Sequence, residues 1–258
     1  MPEGDSIFRA ARALHRALAG RKVTRFDSVF PRLTNPRHDD PLAGRTIERV
    51  EARGKHLLMW FAGGLVLRTH MRMRGSWHLY RPGERWQRPR SDMRIVIETA
   101  DVIAVGFNVP VAEWEPDSGQ AALRDLGPDL LADHFDAAAA VQRLQARGGI
   151  AIADALLDQT ALAGIGNIWK SETLFAARVN PFARVSTLTR EQLDRIVATA
   201  RTLLHASVSE TWRGVPKRVY GHAGKPCPRC GTPIERTRQG PDVRSTYWCP
   251  RCQVTGGP

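Results

Sequence analysis
Apolar positions near the start of the chain recur with helical spacing. Ile7, Ala10, Ala11, Leu14 and Leu18 share one face, while Arg9, Arg12 and Arg16 fall elsewhere. This predicts an amphipathic helix over 6–19, with Asp5 or Ser6 as its N-cap. From 21 to 115 the pattern shortens. Apolar runs at 23–30, 56–61, 65–69, 93–98 and 102–105 are separated by Gly, Pro and Asn. Short strands joined by turns are expected there, in a sandwich or barrel. Residues 81–92 (RPGERWQRPRSD) read as a basic loop and 113–120 (EWEPDSGQ) as a linker. Helical periodicity then returns over 135–144, 152–157, 168–177 and 190–205, with a break at Gly164-Ile165-Gly166-Asn167. From 213 onward the chain is basic and rich in Pro, Gly and Cys, and no internal repeat is visible. The expected fold is multidomain α and β: an N-terminal helix with a β-sandwich over 1–118, a helical domain over 119–220, and a small cysteine module over 221–258.

Charge narrows the class of partner. The 258 residues carry 38 Lys and Arg against 26 Asp and Glu, a formal charge of +12. Such a surplus favours a polyanion, either nucleic acid or an anionic membrane surface. No apolar run approaches the roughly 18 residues of a membrane span, and MPEGDSIFRAARALHRAL has no uninterrupted apolar core of the secretory kind. A soluble cytosolic protein is expected, with no membrane partner, and a monomer is the default. In a reducing compartment four cysteines are better metal ligands than disulfides.

Cys227-Pro-Arg-Cys230 and Cys249-Pro-Arg-Cys252 bracket 18 residues. Two such knuckles can place four thiolates tetrahedrally around one Zn²⁺. With four thiolates the metal keeps no open position, so its expected role is to fold a module too small to bury a core. The intervening TPIERTRQGPDVRSTYW carries Arg236, Arg238 and Arg244. It reads as a two-stranded ribbon turning at Gln239-Gly240-Pro241-Asp242, suited to a DNA backbone or groove and equally to a solvated surface hairpin.

Residues 154–182 read as two helices meeting at Gly164-Ile165-Gly166-Asn167. Asn167 is placed to cap the second helix. The amides at that helix start are a natural seat for a phosphate, to which Lys170 would add charge. A plain αα-hairpin has the same spacing. Trp169 stands where a dinucleotide fingerprint needs its third glycine, which removes that reading.

Met1-Pro2-Glu3-Gly4-Asp5 gains meaning beside these features. Methionine before Pro is normally removed, which frees the Pro2 nitrogen. A secondary amine condensing at an aldehyde-level carbon forms only a charged iminium, an electron sink for eliminating a β-leaving group. A free α-amino group has a pKa of roughly 7.7–8, so about a tenth is neutral at pH 7. Glu3 next to it could move protons.

Taken together, the chain resembles the formamidopyrimidine-DNA glycosylase / endonuclease VIII family along its whole length. The resemblance rests on Pro2-Glu3-Gly4, Gly54-Lys55 before an apolar strand, and Thr69-His70-Met71-Arg72-Met73-Arg74-Gly75-Ser76. It continues in Leu156-Leu157-Asp158-Gln159, Leu162-Ala163-Gly164-Ile165-Gly166-Asn167 and Val219-Tyr220-Gly221, and ends in the finger carrying Arg244-Ser245-Thr246-Tyr247-Trp248-Cys249. It implies a helix–two-turn–helix in the helical domain, a C-terminal zinc ribbon and damaged DNA as the partner. It also implies one structural Zn²⁺ and no small-molecule cofactor.

By the same resemblance, Pro2 attacks C1′ of a flipped-out damaged nucleotide and Glu3 donates and shuttles protons. Lys55 assists β-elimination near the scissile phosphate, Arg244 binds phosphate and assists δ-elimination, and Asn167 holds a phosphate at the lesion. Arg72, Met73 and Arg74 occupy the loop that fills the hole left by the flipped base. Met73 suits either a wedge or the core.

Two departures bear on substrate. Pro-Glu-Gly-Asp is nearer the endonuclease VIII branch, with Ser6 where relatives often carry Glu. The stretch 207–219 is short for the loop that caps oxidised purines in the other branch. A bifunctional glycosylase and lyase acting on oxidised pyrimidines is therefore expected. The alternatives are oxidised purines on the same fold and a non-catalytic damaged-DNA binder.

Overall fold
The structure, a computed structural model, describes residues 2–34, 42–115, 123–209 and 215–254. The chain divides into two compact units, one of Met1–Pro2 and Ser6–Arg124 and the other of Glu3–Asp5 and Asp125–Pro258.

The first unit is a helix and two four-stranded antiparallel sheets. Helix α1 spans Gly4–Leu18, two residues earlier than predicted. Asp5 is therefore not its cap but lies in its first turn, where a carboxylate complements the positive helix end. One sheet has the order β1 (Arg25–Ser28), β6 (Met93–Glu98), β7 (Ile103–Phe107), β5 (Ser76–Tyr80). The other has the order β2 (Ile47–Arg53), β3 (His56–Phe61), β4 (Leu65–His70), β8 (Val111–Glu115). A short helix α2 (Pro31–Thr34) follows β1. Ile7, Leu14 and Leu18 of α1 share one core with Ile47, Leu57, Met59 and Phe61 of one sheet and Ile95 and Ile97 of the other. On the opposite face of β6, Val96 joins Tyr80, Val105 and Phe107 under Trp86 of the 81–92 loop. With both faces of β6 buried, its apolar run is nearly continuous instead of alternating.

Three strands escaped the hydrophobic pattern. β2 buries only Ile47 and Val50 among charged neighbours, β5 is mostly half-buried, and β8 is VAEWE. The expected linker at 113–120 is corrected in part: Glu113 and Glu115 belong to β8, and 116–120 lie outside the described residues. Both carboxylates pair with Arg68 of β4, which is almost fully buried. A strand with inward acids resembles a linker until its arginine is known.

In the second unit, α3 (Ala137–Gln145) starts at Asp136, whose carboxylate accepts from the Ala139 amide at 2.8 Å. Helices α4 (Ile152–Ala155) and α5 (Asn167–Ala177) flank the 156–166 loop. Helix α6 (Arg190–Val208) opens with a reciprocal Thr189–Gln192 capping box. Strands β9 (Glu235–Gln239) and β10 (Arg244–Trp248) form the expected ribbon, paired from Gln239↔Arg244 to Glu235↔Trp248. Among the described residues no helix is long and apolar enough to cross a membrane.

Candidate functional site
In the second unit the chemistry gathers around the N-terminus of α5. Gln159 ties the loop that leads into it. Its Nε2 donates to Leu157 O and Ile165 O, and its Oε1 accepts from the Gly164 amide. Gly4 N donates to Gly164 O at 2.9 Å, and a Cβ on Gly4 would lie 2.7 Å from that oxygen. Glu3 is thereby carried to the start of α5, where it is almost fully buried. Its carboxylate accepts from the Ile168 amide at 2.7 Å and the Trp169 amide at 3.2 Å. A Cβ on Gly166 would sit 2.3 Å from the Glu3 Cδ, so this position needs glycine for close approach and not for its φ of −120°.

This geometry corrects two expectations. The amides at the start of α5 do not form an open phosphate seat, because Glu3 of the chain itself occupies them. Asn167 does not cap the helix: Gly166 is the N-cap residue, without a side-chain cap bond, and Asn167 is the first helical residue. Its side chain is buried, and its Oδ1 accepts no hydrogen bond from the described residues.

Lys170 also departs from its expected place. Instead of adding charge at the surface it is fully buried. Its Nζ donates to Thr246 Oγ1 at 2.9 Å and to Ser245 O at 3.3 Å, both on β10. Burial lowers its pKa to about 8, against the opposing pull of Asp154 and Glu3. A lysine with no exposed surface contacts no phosphate, so its work is internal.

Arg244 starts β10 and is partly exposed, with Nη2 3.5 Å from Asp242 Oδ2. Two further side chains of α5, unmarked by any sequence signal of their own, complete the arrangement. Ser171 Oγ accepts from Tyr247 N at 3.4 Å, and the buried Glu172 carboxylate accepts from the amides of Arg218, Val219 and Tyr220.

The four cysteine thiols lie within 4.8 Å of one another, with Cys227–Cys252 at 3.9 Å and Cys230–Cys249 at 3.5 Å. A tetrahedron of about 2.3 Å zinc–sulfur bonds has edges of roughly 3.8 Å, so the donor set fits a closed structural zinc site. The module is fastened to α5: Arg229 lies over the Phe175 ring at 4.3 Å and donates to Phe175 O and Ala176 O.

In the first unit, Lys55 follows Gly54 (φ +57°) in the two-residue turn between β2 and β3, closed by the Arg53↔His56 pair. The glycine supplies the positive φ that such a turn requires. Arg72, Met73 and Arg74 are all exposed, and Arg72 has φ +44°. Met73 is 58% exposed, so it is not a core residue.

Between these two loops stands a histidine pair to which sequence reasoning gave no role. His56 and His70 are register partners on β3 and β4, with ring centroids 4.9 Å apart. His70 Nδ1 accepts from the Arg72 amide at 3.0 Å, which shapes the start of the loop, and His56 Nδ1 lies 3.3 Å from Arg68 Nη1. Burial foremost, then His70, Arg68 and Lys55, push His56 down to about 3, and burial foremost, then Lys55, Arg72 and Arg68, push His70 down to about 4. Both rings stay neutral in the fold while an unfolded histidine protonates below about 6.5. The unfolded state then binds more protons, so stability falls as pH drops from about 6.5 towards 4. Allowing for solvent screening at the more open His70, the pair accounts for roughly 3 kcal/mol of that loss. Urea unfolding at pH 7 and 4.5 should show it. A His56→Asn/His70→Asn variant, which keeps an acceptor near each Nδ1, should lose less on acidification. An unchanged difference would remove the assignment.

Comparison with known proteins covers nearly the whole chain. Residues 1–110 match the formamidopyrimidine-DNA glycosylase N-terminal domain, 126–217 the formamidopyrimidine-DNA glycosylase H2TH domain, and 224–254 the zinc finger found in FPG and IleRS. The chain is 43% identical to a Streptomyces coelicolor protein named "Probable endonuclease 8 2", over 100% of this chain and 96% of that one. It is 38% identical to the Mycolicibacterium smegmatis "DNA-(apurinic or apyrimidinic site) lyase Nei2", over 98% and 99% of the two chains. Among solved structures, the Lactococcus lactis formamidopyrimidine-DNA glycosylase bound non-covalently to DNA containing an AP site matches with a TM-score of 0.84. That match has 25% identity and covers 98% of this chain and 100% of the other.

Proposed function
Because the chain belongs to the formamidopyrimidine-DNA glycosylase / endonuclease VIII family of DNA-repair enzymes, we propose that it is a bifunctional DNA glycosylase and abasic-site lyase. With Met1 removed, the Pro2 nitrogen attacks C1′ of the damaged nucleotide. The C1′–N bond breaks, the base leaves with a proton, and opening of the sugar gives an iminium between Pro2 and C1′. Loss of a C2′ proton then expels the 3′ phosphate, and a second elimination expels the 5′ phosphate. Glu3 carries protons to and from the sugar, Lys55 assists the first elimination and Arg244 the second. Asn167, Arg72, Met73 and Arg74 hold the opened duplex.

The observation that carries this reading is the grip on Glu3. A buried carboxylate accepting two amides at a helix start is held to a fixed position, and Pro2 is its covalent neighbour. A protein that only bound damaged DNA would need neither an anchored acid nor a proline beside it. Oxidised pyrimidines are the favoured damaged base, on the nearness of Pro2-Glu3-Gly4-Asp5 to the endonuclease VIII branch. The purine-cap argument falls on 207–219, of which 210–214 lie outside the described residues.

Borohydride trapping on an oligonucleotide with one abasic site tests the chemistry. A covalent adduct is expected with the free N-terminus. It should vanish when a residual N-terminal extension turns the proline nitrogen into an amide, which has no nucleophilic lone pair. An adduct that survives the extension would move the nucleophile elsewhere. A panel of oxidised pyrimidines and purines then decides the base.

A further inference from the structure
We infer that Lys170 and its hydroxyl partner Thr246 are positioning residues for Arg244: together with Ser171 and Asp154 they clamp the finger ribbon to the helix that anchors Glu3. The inference rests on the role proposed for Arg244.

Beside the ring contacts Phe182–Trp248 and Tyr220–Tyr247, polar contacts from α4 and α5 place the ribbon. Asp154 Oδ2 meets Gln239 Nε2 at 3.5 Å, and a Cβ on Gly240 would lie 2.3 Å from Asp154 Oδ1, so α4 abuts the ribbon turn. Lys170 Nζ holds Ser245 O and Thr246 Oγ1, the two residues after Arg244. Ser171 Oγ accepts from Tyr247 N. One residue before Lys170, the Trp169 amide holds Glu3. Adjacent residues of one helix turn therefore grip the proposed proton carrier and the strand that begins with the proposed phosphate ligand. An α-helix rises about 1.5 Å per residue, so α5 acts as a short rigid gauge between Glu3 and Arg244.

The chemistry of the contact favours positioning over bulk stability. Thr246 and Lys170 are both fully buried, and an ammonium there needs its acceptors. A hydrocarbon side chain would fill that space without setting the register of β10. An ammonium donating to a carbonyl and a hydroxyl on consecutive residues fixes where the strand lies along the helix, and misplacement of a reacting group by about 1 Å can cost on the order of 10²-fold in rate.

The test reads the ratio of δ- to β-elimination products from a preformed abasic site in single turnover. Arg244→Gln, Lys170→Met, Thr246→Val and Thr246→Ser are compared at equal zinc content. Arg244→Gln should lower the ratio by on the order of tenfold or more. Lys170→Met and Thr246→Val should each lower it by roughly three- to tenfold, and together by no more than either alone. Thr246→Ser, which keeps the hydroxyl, should leave it intact. A purely structural role would reduce both eliminations together and leave the ratio unmoved. If Arg244→Gln shifts the ratio while Lys170→Met and Thr246→Val do not, the clamp is overturned and the role of Arg244 stands. If Arg244→Gln itself changes nothing, the role of Arg244 falls and the clamp falls with it. Should Lys170→Met fail to fold, Thr246→Val decides, since it removes the same contact and keeps the lysine.

Discussion

Stripping the metal from the four cysteines unfolds the finger and weakens binding to abasic-site DNA by about 10²-fold or more, while the helices of the same unit persist. The ribbon has two five-residue strands, and an isolated hairpin of that size is marginal in water. Its apolar support is small: Ile234 and Tyr247 pack with the cysteines, and Phe175 and Val219 come from outside the module. The free energy that closes it is that of metal binding, about 10–16 kcal/mol for comparable sites near neutral pH. By contrast Leu144, Leu174, Leu193, Ile196 and Leu204 are fully buried without help from the metal. Helical circular dichroism should therefore survive chelation, and the fluorescence of Trp248, one residue before a ligand, should not. Loss of the ribbon removes Arg244 and its basic neighbours. Two charge-assisted contacts at about 1.5 kcal/mol each already give the expected factor. Cys249→Ser, which replaces a fully buried ligand, should reproduce the effect. Metal-free protein that bound and cut abasic DNA at the native rate would refute the structural role.

Sequence pattern alone carried the broad succession of helix, strand-rich stretch, helical stretch and cysteine module, and the zinc site, because these rest on local rules. Periodicity located α1, β3, β6, α5 and α6, and cysteine spacing located the metal site. It failed where a residue's meaning depends on a partner far along the chain. Glu113 and Glu115 looked like linker acids because their partner Arg68 lies some 45 residues earlier. Lys170 looked like a surface cation because helix periodicity cannot report that Thr246 hydrogen-bonds to it from 76 residues away. The start of α5 looked like a phosphate seat for a sound reason. Its amides do attract an anion, but the anion is Glu3, 165 residues earlier. Gln159 and His70 stood inside motifs quoted for the family resemblance, and only the hydrogen bonds gave them work to do. In each case the local chemistry was right and the identity of the partner was missing.

The same distinction sets how steeply DNA binding responds to salt. Several of the 38 basic residues are buried or already engaged by the protein's own acceptors. Arg68 and Lys170 are buried, Arg147 pairs with Asp158, Arg201 donates to the carbonyls of Leu130 and Ala132, and Arg229 closes the end of α5. Phosphate contacts must come from exposed cations, such as Arg72 and Arg74 on their loop and Arg236 and Arg238 on the ribbon. About 6–10 contacts remain a reasonable number for a charge of +12, and each released counterion contributes about 0.9 to the slope of log affinity against log salt. Affinity for an abasic-site duplex should thus fall by roughly 10³–10⁵ between about 50 and 200 mM monovalent salt. Arg236→Gln/Arg238→Gln should reduce the slope by about 2 with the ribbon still folded. Neutralising Lys170 should lower the slope by no more than the roughly 0.9 of the one Arg244 contact that it positions, because its own charge never meets a phosphate and releases no counterion. Titration by fluorescence anisotropy at four salt concentrations separates these cases. A slope shallower than about 2 for the native protein would mean that its positive charge serves the fold and not the backbone of DNA.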